Sequence, residues 1–154
     1  MSITIAKENP VGADLTLIFA RHTADMHAET PPESIYMMDA SELAVPQVHF
    51  FVAREAGVPL AMGAFKVLSD AQGEIKSMHV LFEARGRGLS KTMLAHVEAQ
   101  ARAVGIRRLN LETGIQTTFV AARALYEKAG YAFCGPFEGY ENDPNSLFMT
   151  KELL

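Results

Sequence analysis

Between Arg85 and Ser90 the chain reads Arg-Gly-Arg-Gly-Leu-Ser, and the chemistry of such a stretch is the binding of anions. Arginine supplies positive charge, and glycine lets the backbone come close to a ligand. Where such a turn opens a helix, the first helical N–H groups point outward without partners, so phosphate is a natural occupant. RNA-binding tracts repeat these letters; here no second arginine–glycine repeat occurs. Outside this turn the polar residues are less suggestive. His22, His27, His49, His79 and His96 show no ligand spacing together with the single Cys134, which predicts no metal.

The elements around the turn give it its meaning. Ile75 to Phe82 is rich in β-compatible residues, whereas Leu89, Met93, Val97 and Ala101 recur at the helical interval, and Gly105 ends that run. The order is therefore strand, turn, helix, the context that distinguishes a phosphate site from a basic surface turn. Arg107 to Thr113 (RRLNLET) reads as the next strand, placed parallel to the first by a right-handed crossover. Parallel neighbours that splay can admit a ligand between their C-terminal ends.

Upstream, Gln47 to Glu55 and Pro59 to Leu68 are two strands joined at Ala56-Gly57 as a hairpin, and Asp70 to Gly73 turns into the strand that carries Glu74. Period-two alternation puts Glu74, Lys76, Met78 and Val80 on one face of that strand, and Ser77 and His79 on the other, in the absence of a bulge. Before them come a short strand from Ser2 to Ala6, a helix from Gly12 to about Ala28 and a second short helix from about Glu33 to Glu42. After Thr113, Thr117 or Thr118 caps a helix that ends at Gly130, and Tyr131 to Cys134 and Ser146 to Glu152 are the last strands. The fold class is α/β: one domain over 1–154 with a mixed, largely antiparallel central sheet and flanking helices.

Composition bounds the function. With 154 residues and 49% hydrophobic content, one core is affordable and two are not. A formal charge of −4 argues against nucleic acid and anionic membranes, which are bound through excess lysine and arginine. Apolar runs are too short for a transmembrane helix, no signal peptide is evident, and one cysteine allows no internal disulfide; the expected location is cytoplasmic. Between Glu8 and Glu42 seven acids face one base, Arg21. This arm is read either as a solvated helix face or as an acidic rim that attracts an amine.

The segment from Gly73 to Gly105 resembles the acyl-CoA-binding motif of the GCN5-related N-acetyltransferases (GNAT), [QR]-x-x-G-x-[GA], matched by Arg85 and Gly88 with Ser90 in the last place. Ala124 to Phe133 (ALYEKAGYAF) is similar to the family's second signature, a helix with a tyrosine before a lysine-glycine turn. The resemblance covers roughly Val48 to the C-terminus. It implies a GNAT-like fold with a splayed parallel pair, and CoA held by Arg85, Gly86, Arg87, Gly88, Leu89, Ser90 and Lys91, by Met78, His79 and Val80 along the strand, and by Ala122 and Tyr126 on the later helix. The family often has an asparagine near the start of that helix; Phe119 stands here instead.

The implied reaction moves an acetyl group from acetyl-CoA to a primary amine of a small molecule, amino acid or peptide, with no metal. Such an amine is unprotonated at neutral pH in roughly one molecule in two thousand, so a carboxylate or ordered water must take its proton. Glu74, eleven residues before Arg85, matches the place of the base in histone-type members. Tyr126 matches the family's thiolate-protonating tyrosine, and a phenol can donate to a thiolate. Cys134 follows no nucleophile motif, so direct attack in a ternary complex is expected. Residues 1–45 and the loop Gly135 to Asn145 would build the acceptor site, and homodimer formation is left open. Two other readings are a catalytically silent CoA-binding sensor or subunit, and a nonenzymatic module whose turn binds another anion.

Overall fold

A computed structural model describes residues 2–69, 71–116, 119–137 and 139–153. Seven strands form one sheet in the order β1-β2-β3-β4-β5-β7-β6. They are β1 (Ile3–Lys7), β2 (Val48–Glu55), β3 (Val58–Ser69), β4 (Gln72–Val80), β5 (Arg108–Gly114), β6 (Ala132–Cys134) and β7 (Ser146–Glu152). All neighbours are antiparallel except β4 and β5. Helices α1 (Thr16–Glu29) and α2 (Ala40–Leu43) cover one face, and α3 (Leu89–Ala103) and α4 (Val120–Lys128) the other.

Local sequence explains most of these elements. Ala56 and Gly57 both have positive φ, 50° and 81°, as a two-residue hairpin between twisted strands requires. Leu89, Met93, Leu94, Val97 and Ala101 form the buried stripe of α3, packed on Phe51, Phe65, Ile75 and Leu111 of the sheet. Opposite, Leu15, Ile18 and Leu43 pack on Phe50, Val52, Met62 and Ala64. No helix among the described residues is long and apolar enough to cross a membrane.

The arm before β2 departs from expectation. The segment 33–42 is not one helix: a 3-10 turn spans Pro32–Ser34, and α2 begins only at Ala40. Asp39 explains the late start, because its side chain accepts from the Glu42 N–H while Glu42 accepts from the Asp39 N–H, a capping box. Between the two turns the backbone is held by long-range contacts, with the Tyr36 carbonyl accepting from the Lys76 ammonium. The arm's acids are partly paired with bases of the rest of the chain: Glu8 and Asp14 with Arg54, and Asp25 with Arg85. Thr117 and Thr118 lie outside the described residues; α4 starts after Phe119 without a side-chain cap.

The expected alternation along β4 is broken. Met62 pairs with His79 and Ala64 with Lys76, so three steps on β4 oppose two on β3. The extra residue is accommodated at Ser77, whose φ is +56°. Glu74 and Lys76 thus share a face with His79, towards α1, while Met78 and Val80 pack on the α3 side with Ile75. Opposite the bulge sits Gly63, where a Cβ would lie 2.6 Å from the Met78 sulfur and 2.8 Å from Met93 Cγ. Gly63→Val should therefore overpack this crossing and cost roughly 1–3 kcal/mol, lowering Tm by about 3–10 °C in thermal denaturation. An unchanged Tm would mean that Met78 and Met93 move aside freely.

The bulge coincides with a gap. β4 and β5 pair only from Gln72 to Glu74 with Arg108 to Asn110. Beyond Glu74 the two strands run on without bonding to each other, so the edge of β4 facing β5 has no strand partner.

Candidate active site

Through this gap runs a cavity of about 580 Å³, lined on one side of the sheet by Met93, Leu125 and Tyr126 and on the other by His22, Tyr36 and Tyr140. A volume of this order suits a small-molecule site. Of the residues named from the sequence, its walls bring together Glu74, Met78, His79, Val80, Arg85, Gly86, Gly88, Leu89, Ser90, Ala122 and Tyr126. Arg87 and Lys91 are not among the lining residues. Arg87 turns away to Glu55, 2.6 Å from its carboxylate.

At one end lies the start of α3. Gly86 and Gly88 are left-handed, at φ 82° and 75°, and a Cβ on either would have no heavy atom within 4 Å. The helix opens without a side-chain cap and without an acid in its first turn. Free N–H groups, open space and a first turn without an acid fit a phosphate group. Arg85 borders this space, donating to the Val80 carbonyl and to Asp25 of α1, each at 3.2 Å.

In the middle, Ser77 Oγ is buried and has no hydrogen-bond partner among the described residues. A group lying in the gap could satisfy both it and the unpaired edge of β4. Tyr126 reaches this region from α4, with its ring edge-on to Tyr131 at 5.6 Å. Burial pushes its phenol well above the usual tyrosine range, so it stays protonated at neutral pH. Among the described residues its hydroxyl makes no hydrogen bond. Phe119 also lines the cavity, in the place of the family's asparagine, and offers no polar contact.

The far end is polar. The Tyr140 hydroxyl donates to Glu74 at 2.5 Å, and the Lys76 ammonium lies 3.0 Å from that hydroxyl and 3.2 Å from the Glu74 carboxylate. Tyr36 donates to Asp143 at 2.5 Å, and Ser34 donates to the other oxygen of Asp143 at 3.0 Å. The Asp143 bond pushes the Tyr36 phenol up to about 12, and burial, with Glu74 beside it, raises that of Tyr140 far above its ordinary value. The loop after β6 is thereby tied to the N-terminal arm, closing this end of the cavity.

Sequence reasoning missed these partners because they lie far apart in the chain. It also missed Glu112, whose signal was present: in Leu109-Asn110-Leu111-Glu112 the polar residues alternate with buried leucines. His22 and His79 form a second unexpected pair, with ring centroids 5.2 Å apart and His79 Nδ1 3.8 Å from Asp25. Burial lowers His22 to about 4 and depresses His79 also, so both are neutral at pH 7. No group of three or more His, Cys, Asp or Glu placed to hold a metal occurs among the described residues.

Residues 16–131 match the acetyltransferase (GNAT) family model. The IAA acetyltransferase of Azospirillum brasilense is 40% identical over 99% of each chain. The uncharacterized N-acetyltransferase YsnE of Bacillus subtilis (strain 168) is 39% identical over 92% of this chain and 94% of its own. Among solved structures, the PaiA N-acetyltransferase of Thermoplasma acidophilum in complex with coenzyme A superposes with a TM-score of 0.75, covering 99% of both chains at 19% identity, a likeness of fold.

Proposed function

Because the chain belongs to the acetyltransferase (GNAT) family and is an N-acetyltransferase, we propose that it moves an acetyl group from acetyl-CoA to a primary amine of a small molecule, amino acid or peptide. The observation that carries this reading is one cavity with an anion-receptive turn at one end, a buried phenol at its middle and a carboxylate-bearing polar chamber at the other. Acetyl-CoA supplies the activated acyl group as a thioester. Gly86, Gly88 and Ser90 at the start of α3 fit its pyrophosphate, with Arg85 adding charge, and the free edge of β4 from Met78 to Val80 fits the amides of its arm.

The chain's own groups then divide the proton transfers. An amine reaching the chamber as an ammonium must lose a proton before it can attack, a role for which the family resemblance implied Glu74, one of two sheet carboxyl groups at the cavity. Tyr126, held protonated by burial, presents a donor to the departing sulfur. The N-terminal arm and the loop after β6, joined through Tyr36, Ser34 and Asp143, form the acceptor side. Cys134 is exposed on β6 and lies outside the cavity lining, which supports direct attack within a ternary complex.

Thiol release from acetyl-CoA, followed with a panel of amino acids, dipeptides, polyamines and aromatic amines, tests this reading. The panel includes IAA, the compound in the name of the Azospirillum relative. Amine-dependent release is expected. Acetylation of IAA alone would move the reaction away from amine nitrogen, and CoA binding without transfer to any acceptor would favour the sensor.

A further inference from the structure

Two carboxyl groups of the sheet line the cavity at its polar end, Glu74 from β4 and Glu112 from β5, and their surroundings differ. Oε2 of Glu74 is occupied, accepting from Tyr140 at 2.5 Å and lying 3.2 Å from the Lys76 ammonium, and its side chain is only 5% exposed. Glu112 lines the same cavity across the gap. Its neighbours Leu109 and Leu111 point into the core beneath α3, so Glu112 projects to the opposite face, where an acceptor would enter. Oε2 accepts from the Ser146 hydroxyl at 2.8 Å, and no cation pairs directly with the carboxyl among the described residues. The charged and titratable groups that face it are Glu74 and Lys76 from β4, Asp143 and Tyr140 from the loop after β6, and Tyr36 from the arm.

We propose that Glu112 is the group that takes the proton of the acceptor ammonium, and that Glu74 is a positioning residue that holds Lys76 and Tyr140 in place. This rests on the acetyltransferase reading above. Glu112 breaks one N–H bond and leaves the lone pair on nitrogen. That pair forms the bond to the acetyl carbon while the C–S electron pair departs with sulfur. Tyr126 supplies the proton that ends on sulfur and is refilled from water; the proton on Glu112 and the second nitrogen proton both pass to water. One net proton is released per acetyl transferred.

The electrostatics agree with the geometry. Burial, reinforced by Glu74 and Asp143, raises the Glu112 carboxyl to about 7, against the opposing pull of Ser146 and Lys76. A base works best when its pKa lies near the working pH, because it is then both available and strong enough. Only the deprotonated form accepts a proton, so kcat/KM should climb as pH rises through about 7.

The test combines a titration that needs no acceptor with pH–rate profiles on the best amine of the panel. In ¹³C NMR of the free protein the Glu112 carboxyl should titrate with a midpoint near 7. In kinetics, Glu112→Gln should remove the acidic limb and lower the rate at pH 7 roughly 100-fold. Ser146→Ala takes away a hydrogen bond that favours the carboxylate, so the limb should move up. Glu74→Gln takes away a nearby negative charge, so it should move down. A Glu112 midpoint below 5, or a limb that persists in Glu112→Gln or vanishes in Glu74→Gln, overturns the assignment while leaving the enzyme an acetyltransferase. Should Glu112→Gln not fold, the NMR midpoint and the direction of the Ser146→Ala shift still decide. A wild-type protein that acetylates nothing in the panel overturns the function and the base together.

Discussion

Gly88→Val is expected to abolish CoA binding, lowering affinity by about 100-fold or more in calorimetric titration, while the protein stays folded. Gly88 sits at φ +75° immediately before α3, and the space beside its Cα is open. A β-branched side chain there meets two penalties. It resists the left-handed backbone, at about 1–2 kcal/mol, which should lower Tm by a few degrees. It also stands where a phosphate would lie against the first N–H groups of α3. Hydrogen bonds to a charged group are each worth about 1.5–3 kcal/mol, so losing two accounts for the drop. Unchanged affinity would place the phosphate elsewhere and leave RGRGLS as a structural turn.

Tyr126→Phe separates chemistry from packing. The ring is buried and rests against Tyr131, so phenylalanine keeps the contact, and among the described residues no partner of the hydroxyl is left stranded. Stability and CoA affinity should therefore hold within error. The acetyl-transfer step, measured in single-turnover experiments so that product release does not mask it, should slow by about 100-fold or more. Burial also keeps the phenol from ionising in the working range, so its loss should lower the whole pH–rate curve without introducing a new limb. Full single-turnover activity in the variant would reject Tyr126 as the donor and leave it a core tyrosine.

What the sequence disclosed was what short stretches determine. The turn at Ala56-Gly57, the buried stripe of α3 and the anion-receptive glycines each depend on residues within a few positions of one another. The bulge at Ser77 does not: it requires the missing side chain of Gly63 on the neighbouring strand, and alternation alone assigned Met78 and Val80 to the wrong face. The polar chamber was hidden for the same reason. Tyr36 and Asp143 meet across 107 positions and Tyr140 and Glu74 across 66, and no periodicity spans such distances. The segment 33–42 shows local preference yielding to tertiary contacts, since Lys76 and Asp143 hold Tyr36 in a stretch that does not continue as a helix.

The extra residue at Ser77 has an evolutionary consequence. It divides β4 into two halves answerable to different demands: positions 74 and 76 face the polar chamber, whereas positions 78 and 80 pack on the α3 side of the sheet. Side chains in the first half can change without repacking α3, and the second half can keep its apolar character through such changes. A single-residue deletion between 75 and 79 would abolish that independence, sending the thioether of Met78 into the polar chamber in one step. Length in this short stretch thus decides which side chains reach the chamber.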